Sequence, residues 1–191
     1  MTGVTSLNVE VGPKRLELLH EVVPSTTSMA LLVNPTNPSI AEPFSRTLQE
    51  AARALGLQLH VLHASSEREI EAAFATLVKL RAGGLVIMPD PFFLAHNEQL
   101  AALTVRHAVP SIHIFREFAA AGGLMSYGSD DREYYRLVGI YVGRILKGEK
   151  PGDLPVQQAT KVELIINLKT ARALGLAVPL PLSGRANELI E

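Results

Sequence analysis

The chain has 191 residues, 47% of them hydrophobic and 19% charged, which suits one large domain with a sizeable core and excludes a disordered segment. Eighteen Lys and Arg against nineteen Asp and Glu leave a net charge of −1, so no surplus of cations is at hand for general nucleic-acid binding. Zero Cys excludes disulfides, thiolate chemistry and Cys-ligated zinc, and no apolar run is long enough to cross a bilayer.

Taken in chain order, Gly12 and Pro13 open a helix with Leu16, Leu19 and Val23 facing inward. Residues 29–33 read as a strand. Ile40, Phe44, Leu48, Ala52 and Leu55 then fall on one helical face, with Ser39 and Glu42 in capping-box spacing and Gly56 at the close. A strand over 57–62 leads to a second such helix, opened by Ser66 and Glu69, carrying Ile70, Phe74, Leu77 and Leu80, and stopped by Gly83 and Gly84. Strands over 85–88, 111–115 and 124–127 follow, with a helix from about Leu94 to His107 between the first two. Asp130 caps a longer helix with Glu133 at its third position, a stripe of Leu137, Tyr141 and Ile145, and Gly148 at its end. Gly139 and Gly143 leave a shallow groove on that helix, either used by a close neighbour or merely tolerated. Residues 150–155 form a stiff connector, then come a strand over 162–166 and a helix over 168–174 capped by Gly175. A tail rich in Pro, with Pro179 and Pro181, ends in a short polar helix or frays. Alternating strands and helices with short connections predict an α/β fold, a parallel sheet covered by helices on both faces.

In such a sheet, ligands bind outside the carboxyl ends of the strands. That rule selects the loops 34–38, 89–93, 116–117 and 127–131. Asn34, Thr36 and Asn37 offer amides and a hydroxyl beside a helix N-terminus, or simply form the turn and cap. Asp90 suits a ligand amine or sugar hydroxyl, but capping the next helix is the reading favoured on its own merits. Phe92 and Phe93 are adjacent, so one helix face cannot bury both and one is free to line a cleft. Tyr127 suits stacking or hydrogen bonding, or is an edge-strand tyrosine. Asp130 and Asp131 look like a metal-binding pair, but a helix cap explains them more cheaply. None of His20, His60, His63, His96, His107 and His113 forms a helical ligand pair, so no metal site is expected. There is no phosphate loop, dinucleotide fingerprint or nucleophile elbow, and neither a cofactor nor catalysis is expected.

Four stretches carry a family likeness: LLVNPTNP at 31–38, GLMSYG at 123–128, YVGRILKGEKPGDLPV at 141–156 and IINLKTARALGL at 165–176. With these the chain, over residues 3–191, resembles the solute-binding proteins of ABC importers, in the type I periplasmic-binding-protein-like group of the tryptophan- and tyrosine-importer components. The resemblance implies a non-catalytic protein that holds a small solute, an amino acid or aromatic compound, between two lobes and delivers it to a permease in the periplasm. The matching wall positions are Asn34, Thr36, Asn37, Asp90, Phe92, Glu117, Tyr127 and Asp130. By the same likeness the 34–37 loop would engage a carboxylate or polar head, Asp90 or Glu117 an α-amino group, and Phe92 or Tyr127 an apolar face.

The likeness also implies that residues 1–128 are the second, C-terminal lobe, that 129–156 are a helix and connector packing on a first lobe, and that 157–191 return to the second. The family's signal peptide and first lobe have no counterpart in the sequence, so a truncated chain is expected. The helix over 130–147 should then fold back on its own lobe or pair with a second copy as a homodimer. Half a clamshell should bind weakly or not at all alone. Two rivals remain: the ligand-sensing lobe of a lactose-repressor-like regulator, and a small α/β enzyme using Asp90, Glu117 or a histidine. The stretches after Tyr141 favour the binding protein.

Overall fold

A computed structural model describes residues 2–191. In chain order the elements are β1 (Val4–Ser6), α1 (Gly12–Val22), β2 (Ser28–Val33), α2 (Pro38–Ala54), β3 (Gln58–His63), α3 (Glu67–Leu80), β4 (Leu85–Ile87), α4 (Pro91–Ala95) and α5 (Asn97–Arg106). There follow β5 (Ser111–His113), α6 (Arg116–Ala120), β6 (Met125–Ser129), α7 (Asp131–Leu146), β7 (Gln157–Ala159), β8 (Val162–Asn167), α8 (Leu168–Ala173), α9 (Leu180–Ser183) and β9 (Glu188–Ile190).

The main sheet runs β3-β2-β4-β5-β6-β8-β9. From β3 to β6 every pairing is parallel, and β2, flanked by β3 and β4, is buried from Met29 to Val33 because helices cover both its faces. α1 lies against α2 and over β4 and β5, while α3, α5 and α6 pack in a row, as right-handed crossovers leaving β2 in opposite directions require. The sequence predicts a parallel sheet, but one pairing departs from that: β8 runs antiparallel to β6. The cause is the route of the chain. It leaves the sheet at Ser129, makes α7, and re-enters beside its exit, where Asp130 N donates to Lys161 O at 3.0 Å.

β1 and β7 form a separate parallel pair, Val4 to Ser6 against Gln157 to Ala159. α7 packs on that pair through Leu137 and Tyr141, whose hydroxyl donates to Pro155 O at 2.8 Å. The chain thus has a large body and a small satellite of β1, β7 and α7, and it crosses between them after β1, after β6 and after β7. On the far side of α7, Tyr135, Val142 and Leu146 are 67%, 50% and 82% exposed. A Cβ placed on Gly139 or Gly143 would meet nothing within 4 Å, so no described residue uses their groove.

Several local readings need correction. α2 starts at Pro38 behind Asn37, without the Ser39–Glu42 box; Ser39 Oγ donates to Asn37 Oδ1 instead. Ser66 does cap α3, accepting from Glu69 N at 3.3 Å, while the Glu69 carboxylate reaches back to Ser65. α3 closes on Arg81 in the left-handed region (φ 53°), before the two glycines. The helix expected over 94–107 is two, broken at His96, and 116–120 is helical where only a loop was expected. The tail does not fray: β9 extends the sheet beside β8.

Candidate functional site

Two loops meet at the carboxyl ends of β2 and β4. Asn34 is buried, and its Oδ1 accepts from Thr36 N (3.1 Å) and Thr36 Oγ1 (2.7 Å), closing a tight turn. Its Nδ2 donates to Asp90 Oδ1 at 2.9 Å, and Asn37 Nδ2 donates to Asp90 Oδ2 at 3.2 Å. Asp90 Oδ1 also accepts from Phe92 N at 2.9 Å, so Asp90 caps α4 as expected. Both carboxylate oxygens are therefore engaged, and Asp90 is 3% exposed. What the pair of loops presents outward is Thr36, with Asn37 and Phe92 half-buried. Phe93 is fully buried, while Phe92 packs against His96 with ring centres 4.4 Å apart, so the two adjacent aromatics do part ways.

A second cluster lies past β5 and β6, around a cavity of about 270 Å³ lined in part by Arg116, Glu117, Ser129, Asp130, Glu163 and Glu188. Arg116 holds Glu188 through two hydrogen bonds, joining α6 to β9. Asp130 caps α7 by accepting from Arg132 N at 2.9 Å, and its other oxygen accepts from Lys161 Nζ at 2.6 Å. The Lys161 hydrogen bond holds the Asp130 carboxyl below its ordinary value. Burial, then the charges of Glu117 and Asp130, push Asp131 the other way. This cavity offers both signs of charge and suits a polar, zwitterionic or hydroxyl-bearing guest.

The eight positions expected to form one wall therefore divide. Asn34, Thr36, Asn37, Asp90 and Phe92 share the first cluster, and Glu117 and Asp130 line the second. The Tyr127 side chain packs against the core, while its carbonyl accepts from Arg15 Nη1 at 3.0 Å. Among the described residues no three His, Asp or Glu side chains are placed to hold a metal ion.

Beneath these loops lie two buried groups that sequence reasoning did not pick out as functional. His113 is fully buried; its Nδ1 sits 3.1 Å from Asn97 Oδ1, and Phe115 and Phe118 present their rings edge-on. Burial, reinforced by the Arg15 charge, pulls its value down to about 3, so the ring is neutral. Arg15 is also fully enclosed, and burial pulls it down to about 9, which leaves it charged at neutral pH. A signal for Arg15 existed: it sits three residues past Gly12 and four before Leu19, a lone charge within the apolar stripe of α1.

A family model described as ABC transporter substrate binding protein matches residues 1–190. No curated protein matches the sequence. Among solved structures, a conserved domain protein from Vibrio cholerae is similar with a TM-score of 0.87 and 23% identity, over 98% of this chain and 62% of that one. An ABC domain from Streptococcus pneumoniae, in complex with L-Trp, gives 0.84 and 20% over 94% and 60%. A ligand-free, open substrate binding protein with adhesive properties from Clostridium difficile gives 0.71 and 19% over 99% and 62%. Regulators of the LacI family share the fold at lower similarity. At these identities the likeness is one of fold, the periplasmic-binding-protein type, and the chain spans about 60% of the length of the three solved structures.

Proposed function

The chain belongs to the ABC transporter substrate binding protein family, and from that premise we propose that its strand tips are one wall of a cleft that carries a small solute to an importer's permease. The observation that supports this most is the buried Asn34–Asp90–Asn37 network. Such a network is poor at chemistry, because every oxygen of Asp90 is taken. It is good at holding Thr36, Asn37 and Phe92 in fixed positions at the place where sheets of this type receive ligands. The solute is an amino acid or aromatic compound. Thr36 and Asn37 take its carboxylate or polar head, Phe92 its apolar face, and Glu117 at the second cluster its amine, with Asp130 closing that end. The Streptococcus pneumoniae neighbour that holds L-Trp has the same fold, which is consistent with this class.

The body, which takes in most of 1–128 and 157–191, supplies this ligand-binding lobe, while β1 and β7 stand with α7 in the satellite, and 129–156 face a partner lobe that covers Tyr135, Val142 and Leu146 of α7. The place of work is outside the cytoplasm, as delivery to an importer requires. The LacI-type neighbours keep a second reading in play, a ligand-sensing lobe of a regulator.

Saturation-transfer NMR with L-tryptophan, L-tyrosine and a pentose, each at high concentration, tests the proposal. Transfer to the aromatic amino acids that Thr36→Ala and Asn37→Ala abolish supports it. Transfer to the pentose alone contradicts the amino-acid or aromatic solute class, and transfer that survives both substitutions contradicts the assigned wall.

A further inference from the structure

We propose that Arg15 is a positioning residue for that wall: enclosed in the body, it clamps the first and second chain crossings together at Asn8 and Tyr127 and so fixes the tip of β6. The cleft belongs to the function proposed above; the clamp itself stands on geometry alone. Arg15 Nη1 donates to Tyr127 O at 3.0 Å and Nη2 donates to Asn8 O. The Asn8 side chain completes the link, its Oδ1 accepting from Ser129 N at 2.9 Å. One planar fork thus joins the segment leaving β1 to the end of β6, two segments far apart in sequence that both lead to the satellite.

The anchor of the fork is rigid. α1 lies so close to α2 that a Cβ on Gly12 would be 2.6 Å from the Phe44 ring and 2.8 Å from Leu48. The guanidinium stacks over that same Phe44 ring, 5.6 Å from its centre. At the other end, a Cβ on Gly128 would overlap the carbonyl oxygen of Ile114, so β6 is pressed against β5 where the clamp grips it. Among the described residues no carboxylate pairs with Arg15, and its Nε has no partner. A fully buried cation without a counter-charge adds little to stability compared with an apolar side chain of its size. What it does add is two directed hydrogen bonds of fixed spacing, which a lysine ammonium cannot reproduce.

Amide hydrogen exchange on the full chain tests this with Arg15→Lys, Arg15→Met and Asn8→Ala. The expected result is exchange about ten-fold faster at Ser129 and the neighbouring amides of β6 in both Arg15 variants, and at Ser129 alone in Asn8→Ala, which keeps both Arg15 bonds, with Leu31 and Val86 unchanged. Should the Arg15 variants fail to fold, Asn8→Ala still tests the last link of the chain, the Asn8 side chain on Ser129 N, and unchanged protection there overturns the clamp. Unchanged protection at Ser129, or equal acceleration at every amide, overturns the clamp. A solute signal on Glu117 and Asp130, beside the tip of β6, that stays at its native strength in Arg15→Lys while Ser129 loosens overturns the positioning role. Solute binding to the native chain that never touches these tips, with the Ser129 response present in the Arg15 variants, leaves the clamp standing and refutes the function instead.

Discussion

Asn34 Nδ2 lies 2.9 Å from Asp90 Oδ1, so the first residue after β2 is tied directly to the cap of α4. Asp90→Ala removes the acceptor for three donors, leaving a buried amide unpaired and α4 uncapped. The expected loss is about 2–4 kcal/mol, from about 1–3 for the stranded amide and about 1 for the cap. Asp90→Asn keeps one acceptor and should lose roughly half as much. Urea unfolding monitored by circular dichroism checks both, with an unchanged slope against denaturant.

His113 predicts a pH dependence. Its value in the folded chain, about 3, is below the 6.5 of an unfolded one. The unfolded chain therefore takes up the proton first, so the contribution is intact above pH 6.5 and falls as pH drops toward about 3. The slope is about 1.4 kcal/mol per pH unit. His113→Gln should remove that component, so the stability difference between variant and native chain should change in the variant's favour on acidification. A difference constant from pH 7 to 4 would contradict the burial of a neutral ring.

Two glycines should respond in opposite directions to the same substitution. At Gly128 an added methyl meets backbone, the Ile114 carbonyl, which cannot step aside; Gly128→Ala should cost about 2 kcal/mol or more. At Gly139, within α7, the methyl meets open space, and Gly139→Ala should stabilise by about 0.5–1 kcal/mol through helix propensity. Thermal melts of both variants read the signs directly.

These residues also mark what the sequence can and cannot reveal. α3 was legible because its stripe and Ser66 cap are local. The direction of β8 was not, since alternation looks the same either way; the exit and return beside Asp130 decide it. β1, β7 and β9 are three residues each, too short to show a period. The cap role of Asp90 could be read from its neighbours, but its bonds to Asn34 and Asn37 span more than fifty residues and arise only on folding. Arg15 was legible as an oddity, a charge at a core position of α1, though nothing local names its partners.

The central claim is a solute-binding wall at the strand tips, and residue-resolved NMR titration with L-tryptophan measures it most directly. The account predicts saturable shifts centred on Thr36, Asn37, Phe92 and Glu117, with an affinity on the order of millimolar because a single wall buries little of the ligand. Saturable shifts confined to residues remote from those tips would contradict it.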